Sequence, residues 1–260
     1  MAFKKIGILG GMGPEASANF YYKIIHYCQK KYQAVQDTDF PPLIIYSLPL
    51  SGFDESGIVD KKLVLQQLFH GVDTLINSGC DFIVIPCNTV HLFIDELRKK
   101  SSIPIINIMD ETVKKIKQDH HNVVGLLGSD TTLKLQLYQD LLDKNNISCI
   151  PPNEGDNPLI TKLILEVMSG KVENKTKNKV LSIIKKMEQQ SANAVILGCT
   201  EIPLAISQKD VNIKVYDTLQ ILAESAVDFA INDDPLMYKN QTQLLPSVDH
   251  AALSASLRGI

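Results

Sequence analysis

Phe82-Ile83-Val84-Ile85-Pro86-Cys87-Asn88-Thr89 reads as a strand that runs into a thiol and two hydrogen-bonding side chains. The same form returns as Ala194-Val195-Ile196-Leu197-Gly198-Cys199-Thr200-Glu201. A short β-branched run without polar alternation is what a strand covered on both faces requires. Working outward, the opening Ile6-Gly7-Ile8-Leu9-Gly10 returns as Val124-Gly125-Leu126-Leu127-Gly128. Each thiol segment is followed by a helix and then by a strand that ends on a polar residue, Ile105-Ile106-Asn107 in one half and Val215-Tyr216-Asp217 in the other. Three matches in the same order and at nearly the same spacing describe a duplicated unit.

The pattern predicts strands at 5–9, 43–46, 82–85, 105–108, 123–127, 148–150, 194–197 and 214–216. Amphipathic segments between them, among them 15–31, 61–77, 133–144 and 177–190, predict helices. Strands alternating with helices give an α/β fold with mostly parallel sheets. The expected architecture is two similar three-layer α/β domains related by pseudo-twofold symmetry, with the active site in the cleft between them. Residues 1–110 together with the closing helix, 217–232, form the first domain and 111–216 the second. The polar stretch 233–260, broken by Pro235 and Pro246, is a tail with no chemistry of its own. Ligands of open parallel sheets bind beyond the carboxyl ends of the strands. Cys87 and Cys199 both follow a strand, so the symmetry brings them to one cleft from opposite sides.

Composition narrows the function. Of 260 residues, 45% are hydrophobic and 21% charged, enough apolar material for a substantial core. A formal net charge of −3 provides no basic field for nucleic acid. No apolar run approaches the roughly 18 residues of a membrane span. The glycines that follow the short basic start argue against a secretory signal. The five cysteines, at 28, 80, 87, 149 and 199, include no CxxC pair and fit reduced thiols in a cytoplasmic protein, with neither a disulfide framework nor a metal site.

Gly10-Gly11-Met12-Gly13-Pro14-Glu15-Ala16 follows the first strand and opens a helix. Glycines let the chain turn tightly there and aim N–H groups at an anion, and Pro14 suits a first helical turn. The segment also fits G-x-G-x-x-A, but the next strand ends Ile45-Tyr46-Ser47 without the acidic residue that a dinucleotide ribose requires. Thiols at the start of a helix become reactive through backbone amides and the helix dipole. Cys28, Cys80 and Cys149 lack this setting and read as inert. Inverting an α-carbon without a cofactor needs a base on one face and an acid on the other, and two tuned thiols fill both roles. The carbanion spreads its charge into the substrate carboxylate, which calls for donors: Asn88, Thr89, Thr200, the Gly11–Met12–Gly13 amides and, more remotely, Ser129 and Thr132.

The motifs GILGGMGPEAS, PCNTVH and GCTEIP, in this order, resemble those of the aspartate/glutamate racemase family, and the likeness runs from about residue 5 to residue 229. The resemblance implies a homodimer of two-domain α/β subunits that acts on a small amino acid without cofactor or metal. It implies Cys87 and Cys199 as the acid/base pair. It implies Asn88, Thr89 and Thr200 as binders of the α-carboxylate, with Glu201 or His91 orienting a cysteine or a contact between halves. Met12, Gly13, Ser129, Thr132 and Glu201 complete the expected substrate-binding set from the residues themselves. Aspartate or glutamate is the family's default substrate. The sequence departs from that pattern where the family places side-chain cations. Loop 47–57 holds no Lys or Arg, and Met168 stands where a lysine is expected. Lys134, Lys162 and Lys171 are the nearby substitutes. The only arginines are Arg98, read as an exposed helix end, and Arg258 in the tail. A broader substrate range therefore stays open. So do a related isomerase or decarboxylase of dicarboxylates or hydantoins, and an amino-acid-binding homologue without catalysis.

Overall fold

The repeated apolar runs build two separate four-stranded sheets in a computed structural model that describes residues 3–54 and 57–232. The chain first runs through β1 (Ile6–Gly10), α1 (Pro14–Tyr32), β2 (Leu43–Ser47), the small hairpin β3 (Phe53–Asp54) and β4 (Gly57–Ile58), α2 (Lys61–Asn77), β5 (Phe82–Val84), α3 (Ile94–Lys100) and β6 (Ile105–Ile106). It continues through α4 (Ile108–Gln118), β7 (Val123–Gly128), α5 (Asp130–Lys134), α6 (Gln139–Asp143), β8 (Ser148–Ile150), α7 (Asn157–Met168) and α8 (Asn174–Gln189). Then come β9 (Ala194–Gly198), α9 (Ile202–Ala205), β10 (Lys214–Asp217) and α10 (Thr218–Ile231). The first sheet has the order β2-β1-β5-β6 and the second β10-β9-β7-β8, all parallel, so each strand has a counterpart in the other sheet. The tail 233–260 lies outside the described residues.

Period-two alternation decides where the strands send their side chains. Ile6 and Ile8 of β1 join a central core, while Leu9 joins an outer one with α2 and α3. Ala194 and Ile196 of β9 likewise join the central core, and Val195 and Leu197 an outer one with α7 and α8. The central core is continuous across both sheets, because α1, α4 and α10 contribute to it from between them. The last helix returns to α1, where Lys31 Nζ reaches Asp228 at 2.8 Å and Lys23 Nζ reaches Asp217 at 2.8 Å.

Three expectations are corrected. The strand expected at 105–108 stops at Ile106, since the Asn107 side chain accepts the Met109 N–H at 2.8 Å and starts α4. The helix expected at 133–144 is two short helices, broken where Gln136 takes a φ of 52°. The break leaves Tyr138, fully buried, with its hydroxyl 2.6 Å from Asn88 Oδ1. Arg98 is no exposed helix end. Its side chain is 15% exposed and holds the Ile105 carbonyl from Nε and Nη2 at 3.3 and 3.2 Å.

Candidate active site

The polar residues that close β6 and β10 are helix caps: Asp217 accepts the Gln220 N–H at 3.0 Å as Asn107 accepts that of Met109. The thiol strands between them, β5 and β9, end differently. Each turns within a few residues into a short helical segment, so its thiol stands at the carboxyl end of the sheet. Cys87 N donates to the Ile85 carbonyl at 2.8 Å, a tight turn that brings the sulfur off the strand. His91, on the turn that follows, binds the Cys87 carbonyl through Nδ1 at 2.8 Å and accepts the Ile108 N–H at Nε2 at 3.3 Å. In the second half the Cys199 carbonyl accepts the Ile202 N–H at 3.2 Å as α9 begins.

Both thiols line one cleft of about 590 Å³, Cys87 7% and Cys199 8% exposed. Met12, Gly13, Asn88, Thr89, Thr200 and Glu201 line the same space. Ser129 and Thr132 do not. They stand one layer behind, with their hydroxyls 2.9 and 3.1 Å from Thr89 Oγ1 and 3.0 Å from each other. Asn88 is a bridge between the halves: its Nδ2 donates to Thr218 at 3.1 Å, and its Oδ1 accepts from Tyr138.

The glycine loop is more committed than the sequence suggests. Gly11 has a φ of 94°, and a Cβ there would collide with the backbone of Leu48. Gly11 N donates to Ser17 Oγ at 2.9 Å, and Gly13 N donates across the cleft to Glu201 Oε1 at 3.3 Å. The other oxygen of Glu201 accepts from Cys199 Sγ at 3.0 Å and from Thr200 Oγ1 at 3.1 Å. One buried carboxylate therefore connects the glycine loop of the first half to the thiol of the second. The remaining cysteines are withdrawn from chemistry. Burial pushes Cys28 up to about 11 and Cys149 up to about 12, and it raises Cys80 as well.

The rest of the lining was not legible as a wall. Thr161, Leu165 and Met168 line it at the i, i+4, i+7 spacing of one face of α7, together with Leu50 of the β2–β3 connection and Phe53 and Asp54 of β3. That spacing was available in the sequence, but nothing in it says which face of α7 meets the cleft. Among the described residues, none that lines the cleft is Lys, Arg or His. The three lysines nearest in sequence do not fill the gap. Lys134 pairs with Asp130 at 2.7 Å, Lys162 with Glu166 and Glu173 at 3.3 and 3.2 Å, and Lys171 is exposed away from the lining. Arg258 lies outside the described residues.

A family model described as Asp/Glu/hydantoin racemase matches residues 9–226. The broad specificity amino-acid racemase RacX of Bacillus subtilis is 31% identical over 222 residues, 85% of this chain and 96% of that protein. A solved aspartate racemase homologue from Pyrococcus horikoshii superposes with a TM-score of 0.75 at 30% identity, covering 88% of this chain and all (100%) of that one. The aspartate racemase of Picrophilus torridus superposes with a TM-score of 0.72 at 27% identity, covering 93% and 98%.

Proposed function

The chain belongs to the Asp/Glu/hydantoin racemase family, and we propose that it is a cofactor-independent amino-acid racemase that works through Cys87 and Cys199. One observation carries the reading: two thiols at equivalent positions of the duplicated halves line a single cleft. The α-carbon of a bound amino acid lies between the sulfurs. The thiolate on one side takes the α-proton, and the electron pair left behind delocalises into the α-carboxylate. The thiol on the other side gives a proton to the opposite face, which yields the other enantiomer and exchanges the two charge states. The hydrogen bond from Cys199 Sγ to Glu201 Oε2 supports Cys199 as the proton donor in the state described.

Donors placed in advance lower the barrier by meeting charge where it develops. Asn88, Thr89 and Thr200 serve the α-carboxylate in this reading, with Ser129 and Thr132 fixing the Thr89 hydroxyl from behind and Met12 and Gly13 closing the opposite side. Residues 1–110 with 217–232 act as one domain and 111–216 as the other, each supplying one thiol. The resemblance supports a homodimer, to be checked by mass in solution. Five cysteines with no disulfide among them support a cytoplasmic setting. Among the described residues no helix is long and apolar enough to cross a membrane.

The test is α-proton exchange in deuterium oxide on a panel of L- and D-amino acids, without added cofactor. Wild-type protein is expected to incorporate deuterium from either enantiomer of its substrate. Cys87→Ala and Cys199→Ala are each expected to abolish inversion. Full racemisation by either variant would rule out the two-thiol mechanism.

A further inference from the structure

We propose, resting on the racemase reading above, that the cleft takes an amino acid with an uncharged, apolar side chain and discriminates against aspartate and glutamate. In the racemase reading the α-carbon and its carboxylate belong beside the thiols, Asn88, Thr89 and Thr200. The side chain must then extend along the remaining lining, in which Leu50, Phe53, Leu165 and Met168 outnumber the polar Asp54 and Thr161. Leu165 and Met168 are 49% and 44% exposed, an unusual display for two large apolar groups one turn apart on one helix face. An apolar side chain laid against them removes that surface from water.

An anionic side chain meets the opposite situation. Among the described residues no Lys, Arg or His lines the cleft, whereas Asp54, Asp130 and Glu201 do. A carboxylate entering here gives up its hydration and gains no cation from the described lining in exchange, with Asp54 and Glu201 of its own sign nearby. A cationic side chain is also poorly served. Asp130 is already paired with Lys134 at 2.7 Å. Both oxygens of Glu201 are engaged by Gly13, Cys199 and Thr200. Asp54 accepts the Gly57 N–H at 3.2 Å on an exposed turn. The wall that remains for recognition is hydrocarbon and thioether with the Thr161 hydroxyl among them.

The experiment measures kcat/KM for L-methionine, L-leucine, L-lysine, L-aspartate and L-glutamate by chiral chromatography, alongside α-deuterium incorporation from each. Methionine or leucine is expected to exceed aspartate and glutamate by about 100-fold, the size of discrimination available to a pocket of the wrong polarity. Aspartate, glutamate or lysine as the best substrate would overturn this proposal and leave the racemase reading standing. No exchange with any amino acid would overturn the racemase reading itself. Met168→Lys gives a second measurement. Its site is half exposed, so the fold tolerates the change, and a cation there should raise aspartate turnover relative to methionine by on the order of tenfold. An unchanged ratio in a folded Met168→Lys protein would remove the α7 wall from substrate selection.

Discussion

A carbonyl oxygen can only accept and a backbone N–H can only donate. His91, with Nδ1 2.8 Å from the Cys87 carbonyl and Nε2 3.3 Å from the Ile108 nitrogen, is therefore held as the neutral Nδ1–H tautomer. Full burial, aided by the nearby Arg98 guanidinium, lowers its pKa from 6.5 to about 4. Above pH 6.5 the ring is neutral in both the folded and the unfolded chain. Between 6.5 and 4 only the unfolded chain binds the proton, so stability is lost as the pH drops through that window, by at most about 3 kcal/mol. The unfolding free energy of wild type minus that of His91→Gln should shrink by this amount from pH 6.5 to pH 4. A difference that stays constant with pH would mean that His91 does not titrate as its partners require. Glu201 makes a separate residue-scale claim. In Glu201→Gln the side chain keeps its length, but an amide replaces one of the two acceptor oxygens shared by Cys199, Thr200 and Gly13. Hydrogen bonds to charged groups are worth about 1.5–3 kcal/mol, so Glu201→Gln should lose stability of that order and also lower kcat about 10- to 100-fold. Unchanged kcat in both directions of racemisation would reduce Glu201 to a structural contact.

Elements were legible wherever a pattern is local. The eight main strands sit within two residues of their expected bounds, because β-branched runs flanked by glycine and polar caps have one reading. The hairpin β3–β4 was not legible, since two-residue strands leave no periodicity. The break between α5 and α6 was missed for a different reason: 133–144 has a helical pattern, and the contact that interrupts it, Tyr138 on Asn88, is distant in sequence. In the site, the thiols and their neighbours were readable from the repeat, whereas the apolar wall of α7 depends on how that helix is turned. The glycine loop gives an element-scale prediction. Gly11→Ala must place a Cβ at a φ of 94° and against the Leu48 backbone, which itself donates to the Gly10 carbonyl at 2.9 Å. The backbone conformation alone costs about 1–3 kcal/mol, and displacing Met12 and Gly13 from the cleft should lower kcat/KM at least about tenfold. Gly155→Ala, where a Cβ meets nothing within 4 Å, is the control and should leave both stability and turnover within error. Equal behaviour of the two variants in thermal melts and assays would show that the loop tolerates a different path.

At the scale of the whole molecule, duplication suggests two independent units, but the cores are distributed otherwise. Each sheet has an outer core of its own, and both share the central one, to which α1, α4 and α10 contribute. Alternation along a strand reveals that both of its faces are buried, but not whether two faces are covered by the same helices. The hydrogen bonds at the cleft tie the halves in the same place. Thr218, at the start of α10, donates to the Leu197 carbonyl at 2.9 Å and accepts from Asn88, which in turn accepts from Tyr138. Losing half of a shared core exposes the other half's apolar surface, so neither half should persist alone. Denaturation in urea should give one transition, with tyrosine fluorescence and far-UV ellipticity coincident. Tyr138→Phe removes the hydroxyl on the bridge and leaves Asn88 Oδ1 buried without it. The single transition should then shift by about 1–3 kcal/mol as a unit. Two resolved transitions in wild type, or a shift confined to one probe in Tyr138→Phe, would show instead that the halves fold separately and meet only at the cleft.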